Sequence, residues 1–321
     1  MQDVVRDVSQ GLEGLGKAEW LRKIVEIADE HGYFQPLGKE HFAMFVEHGR
    51  TLLVTFETIS EMRARGAEPL GWRMIRDAGW SHLCIACEGE TWFRDKRVYG
   101  YFDRLVDEGF LEDFDNVIFY GAGSCGYAAA AFSVAAPGAT VVAVQPQATL
   151  DTEIAGWDHR FRPMRRVDFS DRYGYAPDMI EAADRAFIVY DPTATLDAMH
   201  AALFRRANVT PLRVRRMSER LQGDLLGMQI LYRMLEKAAS GRLDARSFAR
   251  LARTRRNHPP YLRSLLSAVE EKGRTKLAAA LCRNVVSRMK APRFARRLET
   301  LERGMKGMPL RLVADSAAAD A

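Results

Sequence analysis

Short runs of consecutive apolar residues recur along the first two thirds of the chain. Six segments stand out as predicted strands, most of them continuous apolar runs: TLLVTF at 51–56, SHLCIACE at 81–88, NVIFY at 116–120, TVVAVQ at 140–145, AFIVYD at 186–191 and TPLRVR at 210–215. Apolar runs without polar alternation are typical of strands that are covered on both faces, as in a parallel sheet. The pattern therefore predicts a mostly parallel sheet through the middle of the chain.

Segments with apolar residues at helical spacing alternate with these runs. They cover residues 18–32, 99–110, 124–136 and 194–206. Pro137 and Gly138 end the third of them, as helix-breaking residues do. Strand and helix in alternation predict an α/β fold with a doubly wound sheet.

After residue 215 only amphipathic helical segments follow, separated by Gly or Pro. We therefore predict an N-terminal helical segment at 1–45, an α/β domain at 46–230, a helical appendage at 231–310 and a disordered tail at 311–321. Within the α/β domain, residues 146–183 are polar and loop-rich, which predicts a lid-like excursion.

Charge is distributed unevenly along the 321 residues. The whole chain has 47 Lys and Arg against 42 Asp and Glu, a formal net charge of +5, and residues 201–321 hold 27 of the basic and 10 of the acidic residues. The remaining residues, 1–200, hold 20 basic and 32 acidic residues and are therefore acidic. The basic excess predicts either an anionic partner for residues 201–310 or docking of this segment onto the acidic residues 1–200. Aromatic residues are not interleaved with the cations, which disfavours nucleic acid as that partner.

Other features indicate a cytoplasmic protein. No stretch reaches the roughly 18–20 apolar residues of a membrane span, and the first residues lack the pattern of a signal peptide. The four cysteines are dispersed, and Cys84-x-x-Cys87 lies inside a predicted strand, which indicates core residues and not a metal or redox site. We therefore expect no membrane span, no metal ion and no cofactor.

The third apolar run leads into the hexapeptide GAGSCG, which fits two motifs. Gly121-x-Gly123-x-x-Gly126 is the pattern of a dinucleotide-binding turn, which also needs an acidic residue at the end of the next strand. Gln145 stands at that place, so the match is incomplete. In the second motif, a nucleophile elbow, Ser124 lies at the apex of a strained strand-to-helix turn.

The elbow hypothesis assigns roles to further residues. The backbone N–H of Cys125 would be one oxyanion donor, and the loop near Glu57 or Thr58 would supply the second. The residues two positions before and after Ser124 are both small, as a strained turn requires.

At these residues the chain resembles the α/β-hydrolase-like proteins of bacterial surface-glycan biosynthesis. The resemblance covers about residues 50–215 and is carried by GYAA at 126–129 and by VQPQ at 144–147, after the next strand. It implies a sheet of the α/β-hydrolase type and makes Gln147 a binding residue.

The same resemblance leaves the apex of the turn open. When GYAA is aligned with the corresponding residues of the family without a gap, the nucleophile position falls on Gly123. A shift of one residue returns that position to Ser124.

The other members of a catalytic triad are less clearly marked. In this fold the nucleophile comes first in the chain, the acid second and the histidine last. Asp191, at the end of the fifth apolar run, is the candidate acid, and Asp197 is the alternative. His258 and His200 are the candidate bases, and His159 lies on the excursion.

These residues support more than one function. The protein is either an esterase or acyltransferase that attacks a glycan or small-molecule ester through Ser124, or a degenerate hydrolase that binds a ligand or partner without catalysis. A nucleotide-binding enzyme that uses the three glycines is a further alternative.

The whole chain is also similar to bacterial proteins that bear the name phosphoadenosine phosphosulfate reductase. That chemistry uses an S-G-G-x-D-S loop and an E-C-G-x-H segment, and neither string occurs in the sequence. Cys125 is the one cysteine near a plausible site, and a lone thiol beside a glycine-rich turn is weak support for such an activity.

Overall fold

The computed structural model describes residues 2–217 and 219–306. The predicted disordered tail at 311–321 lies outside these residues. The chain divides after Arg253 into a first and a second compact unit.

The first unit is built on one eight-stranded sheet. Its strands are β1 Gly32–Pro36, β2 His41–Val46, β3 Thr51–Thr58, β4 Ser81–Cys87, β5 Asn116–Ala122, β6 Thr140–Val144, β7 Arg185–Tyr190 and β8 Val209–Arg213. Their order in the sheet is β1-β2-β4-β3-β5-β6-β7-β8. Strand β2 pairs antiparallel with both neighbours, and all other pairs are parallel. This is the sheet of the α/β-hydrolase fold, which confirms the predicted fold class.

Helices cover both faces of this sheet. In the described part of the chain, the α-helices of the first unit are α1 Gln2–Asp7, α2 Lys17–His31, α3 Ile59–Ala64, α4 Trp72–Ala78, α5 Lys96–Asp107, α6 Ser124–Phe132, α7 Thr152–Ala155, α8 Ala176–Met179, α9 Thr195–Leu203, α10 Leu221–Gly227, α11 Leu231–Ala239 and α12 Ala245–Leu251. Those of the second unit are α13 Pro259–Glu270, α14 Thr275–Arg288 and α15 Pro292–Lys306. Successive residues of β3 show how the sheet divides two cores: Leu52 and Val54 pack on the side of α5 and α6, and Leu53 packs on the side of α11.

Two strands lie where the sequence pattern predicted only a helical segment. β1 and β2 form an antiparallel hairpin at the edge of the sheet, and α2 packs beside them in a third hydrophobic cluster. All six residues of β2 are buried, yet the strand is short and adjoins a five-residue strand with no fully buried position. A short apolar run next to a weak one does not distinguish strand from helix by periodicity.

The boundary between the units also differs from the predicted one. Helices α11 and α12 belong to the first unit because Leu231, Leu235 and Phe248 are buried in the same cluster as strand residues of the sheet. The second unit contains α13, α14 and α15, whose apolar side chains form a core of their own. Among the described residues, no helix combines the length and the apolarity that crossing a bilayer requires.

A buried polar network lies between β3, β4 and the loop before α4. The Glu57 carboxylate accepts hydrogen bonds from the Arg65 guanidinium, the Thr55 hydroxyl at 2.9 Å and the Leu70 N–H at 2.9 Å. His82 Nε2 lies 2.8 Å from the same Thr55 hydroxyl. Because that hydroxyl donates its proton to Glu57, the ring nitrogen donates to its oxygen, and the imidazole is the neutral Nε2–H tautomer. Burial lowers the pKa of His82 to about 4.

This lowered pKa makes the stability of the first unit dependent on pH. The unfolded imidazole titrates near 6.5 and the folded one near 4, so the unfolded state binds more protons between these pH values. We expect the free energy of unfolding to fall by roughly 3 kcal/mol as the pH is lowered through this window. Urea denaturation at half-unit pH steps measures the loss.

The variant His82→Gln keeps a donor for Thr55 but does not titrate, so its stability should depend less steeply on pH between 6.5 and 4. Burial also lowers the pKa of His41 and of His200, so part of the dependence should remain. An unchanged slope in the folded variant would show that His82 is not the buried titrating group.

Candidate functional site

The turn between β5 and α6 has glycine at its apex. Gly123 connects the strand to the helix with φ +58° and ψ −126°, a left-handed backbone that residues with a side chain rarely adopt. Ser124 is the first residue of the helix. Of the two alignments that the sequence left open, the structure therefore has the one in which Gly123 occupies the apex.

Gly121 allows the strand and the helix to approach each other at this turn. A Cβ atom at Gly121 would lie 2.0 Å from the carbonyl oxygen of Cys125 and 2.8 Å from the N atom of Gly126, both of them backbone atoms. Such distances are far inside van der Waals contact, so only glycine fits. The close crossing also brings α6 onto the sheet, where the four alanines at 128–131 are completely buried.

The space at the apex itself is different. A Cβ atom at Gly123 would meet no heavy atom within 4 Å. In an active elbow the nucleophilic side chain starts from this position. Here the position has room for a side chain but carries none.

The two residues after the apex offer little nucleophilic chemistry. Ser124 is half-buried, and Cys125 is buried. Burial raises the pKa of the Cys125 thiol well above its ordinary value, so the sulfur stays protonated at neutral pH.

Asp191 lies at the end of β7, where the acid of this fold is expected. One carboxylate oxygen accepts from the N–H and the hydroxyl of Thr193 at 2.7 and 2.6 Å, and the other accepts from the N–H of Met217 at 2.8 Å. Met217 belongs to the segment after β8, which in an active enzyme carries the histidine. A backbone N–H thus binds the carboxylate where an imidazole would.

His200 is bound on both ring nitrogens by other groups. The N–H of Ala148 donates to Nδ1 at 3.1 Å, so Nδ1 carries no proton, and Nε2–H donates to Asp158 at 3.0 Å. The ring is fully buried, and burial lowers its pKa. His200 is therefore a neutral structural donor that ties α9 to the start and the middle of the excursion.

Asp158 holds a small charged network together on the excursion. Its carboxylate accepts from Arg160 at 2.8 Å as well as from His200, and Arg160 also donates to Asp197 at 2.6 Å. Burial raises the pKa of Asp158, but these hydrogen bonds lower it more strongly and bring it to about 2. Asp197, the alternative acid, accepts a further bond from Gln145 at 2.7 Å.

The remaining histidines also have partners or positions elsewhere. His31 bonds to Asp7, His41 to Thr91, His82 to Thr55 and His159 to Arg165. His48 follows β2 and lies beside Gly79, before β4. His258 lies in the second unit, directly before α13. None of the hydrogen bonds seen for the described histidines of the first unit is to Ser124.

The other predicted binding residues, Glu57, Thr58 and Gln147, form hydrogen bonds within the protein. Glu57 is engaged by Arg65, and the Thr58 hydroxyl caps α3 by accepting from the N–H of Glu61 at 3.2 Å. Gln147 is buried, and its amide donates to the carbonyl of Gln145 at 3.2 Å.

Gln145, where a dinucleotide site needs an acid, is likewise occupied. Its side chain donates to Asp197 and accepts from the N–H of Leu221 at 3.0 Å. The glycines of the hexapeptide thus serve the crossing of β5 and α6, without the acidic partner of a ribose.

Backbone strain at the carboxyl edge of the sheet was not indicated by any sequence pattern. Four non-glycine residues after strand ends have left-handed φ: Trp92 and Phe93 after β4, Gln145 after β6 and Arg216 after β8. Strain of this kind often concentrates at functional sites. Trp92 Nε1 and Gln147 Oε1 are also buried at this edge without a hydrogen-bond partner among the described residues.

Arg94 fastens the excursion over α6. Its guanidinium, almost completely buried, donates to the carbonyls of Asp168 and Arg172 at 2.9 Å each, to the Asp171 carboxylate and to the Tyr127 hydroxyl at 3.3 Å. Tyr127 in turn donates to the carbonyl of Tyr173. The buried guanidinium thus forms hydrogen bonds with three residues of the excursion, Asp168, Asp171 and Arg172. The excursion is therefore packed against the rest of the first unit.

Two groups of side chains have the composition of metal ligands among the described residues: Glu57, His82 and Cys84, and Asp7, Glu30 and His31. In the first group Arg65 already neutralises Glu57, and burial raises the pKa of Cys84 well above its ordinary value. In the second, Asp7 is bound by His31 and Arg6. Neither group fits a metal ion better than its present partners.

A separate cleft of about 480 Å³ opens at the opposite, amino edge of the strands. Phe114, Asn116, Thr140 and Arg185 are among its lining residues. The turn after β5 lies at the carboxyl edge, where ligands of open α/β sheets bind, so the cleft is at the other end of the strands from it.

No known protein family and no curated protein matches this sequence. Solved structures resemble it at low identity. Est1E from Butyrivibrio proteoclasticus is 12% identical over 61% of this chain and 94% of its own, with a TM-score of 0.40. The esterase domain of a Rhodothermus marinus protein is 14% identical over 55% of this chain and 82% of its own, with a TM-score of 0.38.

A third similar structure is the Glycosylation Associate Protein (Gap123) complex from Streptococcus agalactiae. It is 13% identical over 64% of this chain and 45% of its own, with a TM-score of 0.43. Likeness at this level carries no argument about activity, and the fold class rests on the order and direction of the strands.

The two glycines of the turn should respond differently to substitution. Gly123→Ala adds only backbone strain and should lower the free energy of unfolding by about 1–3 kcal/mol. Gly121→Ala forces the strand and helix apart and should cost more than about 3 kcal/mol. Urea denaturation of both variants gives the comparison, and equal losses would contradict the assignment of Gly123 to the apex.

Removal of the Asp158 carboxylate should release the excursion. Asp158→Ala leaves Arg160 and His200 without their shared acceptor and should lower the free energy of unfolding by about 3 kcal/mol. Limited proteolysis should then cleave within residues 146–183. Glu153→Ala, on an exposed position of the same excursion, serves as the control and should change stability by no more than about 0.5 kcal/mol.

Proposed function

We propose that this protein is a non-catalytic member of the α/β-hydrolase fold, a pseudo-hydrolase that binds a ligand or partner. The proposal is carried by Gly123 at the apex of the turn between β5 and α6. A glycine has no side chain with which to attack an ester.

The positions of the acid and the base support the same function. Backbone N–H groups and Thr193 satisfy the Asp191 carboxylate, and His200 is held by Asp158 and Ala148. A serine hydroxyl without an adjacent base is a poor nucleophile at neutral pH, and this applies to Ser124.

The carboxyl edge nevertheless keeps the properties of a binding site. Ligands of open α/β sheets bind at this edge. The unpartnered donor of Trp92 and the unpartnered acceptor of Gln147 are features that a bound polar molecule would satisfy. We infer that the binding role lies at this edge, for a small molecule or glycan.

An activity-based probe tests the absence of catalysis. A fluorophosphonate, which reacts with activated serines, should not label the folded protein above the level of a heat-denatured sample. Gly123→Ser restores a hydroxyl to the open space at the apex but not a base, so this variant should also remain unlabelled.

The competing function, an esterase or acyltransferase that uses Ser124, predicts the opposite result. Labelling of the wild-type protein that disappears in Ser124→Ala would overturn the proposal. Labelling of Gly123→Ser alone would show that a histidine reaches the apex and that only the nucleophile is missing.

A further inference from the structure

The second unit carries a large excess of positive charge. Residues 254–306 contain fourteen Lys and Arg against four Asp and Glu, and ten of the fourteen are arginines. Its three helices bury their apolar side chains in one core, and the charged side chains of residues 254–305 remain at the surface. The excess is therefore a property of the folded surface.

The acidic side chains of the unit neutralise only a few of these cations. Glu270 pairs with Arg297, Glu302 with Arg283, and Glu299 with Arg303. Ten of the thirteen Lys and Arg side chains between residues 254 and 305 form no ion pair with any described residue.

The first unit has too little acid to compensate for the rest. Residues 1–253 contain 32 Lys and Arg against 36 Asp and Glu, a small excess of negative charge compared with that of the second unit. Docking of one unit onto the other would thus leave most of the positive charge unneutralised, which favours an external polyanion.

Helix α15 arranges its cations on one side. Arg293, Arg296 and Arg303 are exposed and recur at intervals of three and seven residues, which places them on one helix face. At 1.5 Å per residue this face is roughly 15 Å long. Phe294 and Leu301 point into the core from the other side of the helix.

The chemistry of this face selects among polyanions. The planar guanidinium matches phosphate with two parallel hydrogen bonds, which lysine does not. Helices that lie on membranes insert aromatic and large apolar side chains into the lipid. Proteins that bind single-stranded nucleic acid stack its bases on exposed aromatic side chains. In the second unit Phe294 is buried and Tyr261 half-buried, and Leu277 and Val286 are the large apolar residues exposed among those described.

We propose that the second unit binds the phosphate backbone of double-stranded nucleic acid through the arginine face of α15, without recognition of base sequence. A duplex backbone requires cations and no stacking aromatics. The absence of interleaved aromatics, which disfavoured nucleic acid at the level of sequence, thus argues against single strands only. This binding is independent of the function proposed for the first unit.

The test uses the full chain and a fluorescent 20-base-pair DNA duplex, with binding followed by anisotropy from 50 to 200 mM salt. Three phosphate contacts, of which that of Arg303 replaces its exposed ion pair with Glu299, predict a slope of log K against log salt of about −3. Arg293→Gln with Arg296→Gln should weaken binding at least tenfold at 50 mM salt and reduce the slope by about 2. A second duplex of unrelated sequence should bind equally well.

The matched control removes the same charge from the first unit. Arg50→Gln with Arg73→Gln breaks two exposed ion pairs, to Asp115 and Asp77, and should leave the affinity within about twofold. Equal weakening by both double variants would overturn the assignment to α15. Binding to phosphatidylserine vesicles without binding to the duplex, or no binding to the duplex at 50 mM salt, would overturn the choice of partner.

Discussion

The first unit depends on one close backbone crossing, between the end of β5 and the start of α6. At Gly121 the two segments approach so closely that a Cβ atom would lie 2.0 Å from the carbonyl oxygen of Cys125. The chain turns from strand to helix within one residue, which forces the left-handed backbone of Gly123. The same crossing brings the alanines of α6 against the sheet, where any larger side chain would hold the helix away.

Around this crossing, the groups that a hydrolase would use in catalysis bind the backbone of loops. Asp191 connects the segments that follow β7 and β8, because it accepts from the N–H groups of Thr193 and Met217. His200 connects α9 to the excursion through Ala148 and Asp158. The hydrogen bonds that stabilise the carboxyl edge thus engage both carboxylate oxygens of Asp191 and both ring nitrogens of His200. The protein thus has the fold of a hydrolase, and Asp191 and His200 stabilise its loops.

Much of the sheet was predictable from local pattern, since six of the eight strands lie at the six segments that the sequence pattern marked as strands. The hairpin of β1 and β2 was not predictable, because antiparallel pairing at an edge gives a short and ambiguous apolar signal. The network of Asp158 and His200 was also beyond prediction. Its members are 42 residues apart in the chain, and no spacing rule connects an excursion to a helix that follows the next strand.

The sequence by itself determined the α/β class, the strand-to-helix turn at the GAGSCG hexapeptide, the uneven charge and the lack of an acid at Gln145. These follow from local composition and periodicity, which act over a few residues. Only the tertiary structure decided that Gly123 and not Ser124 is at the apex, that Asp191 and His200 are bound by other groups, and that the arginines of α15 share an exposed face. The physical reason is that backbone strain and hydrogen-bond partners depend on which distant segments are in contact, and a single sequence does not specify those contacts by local pattern.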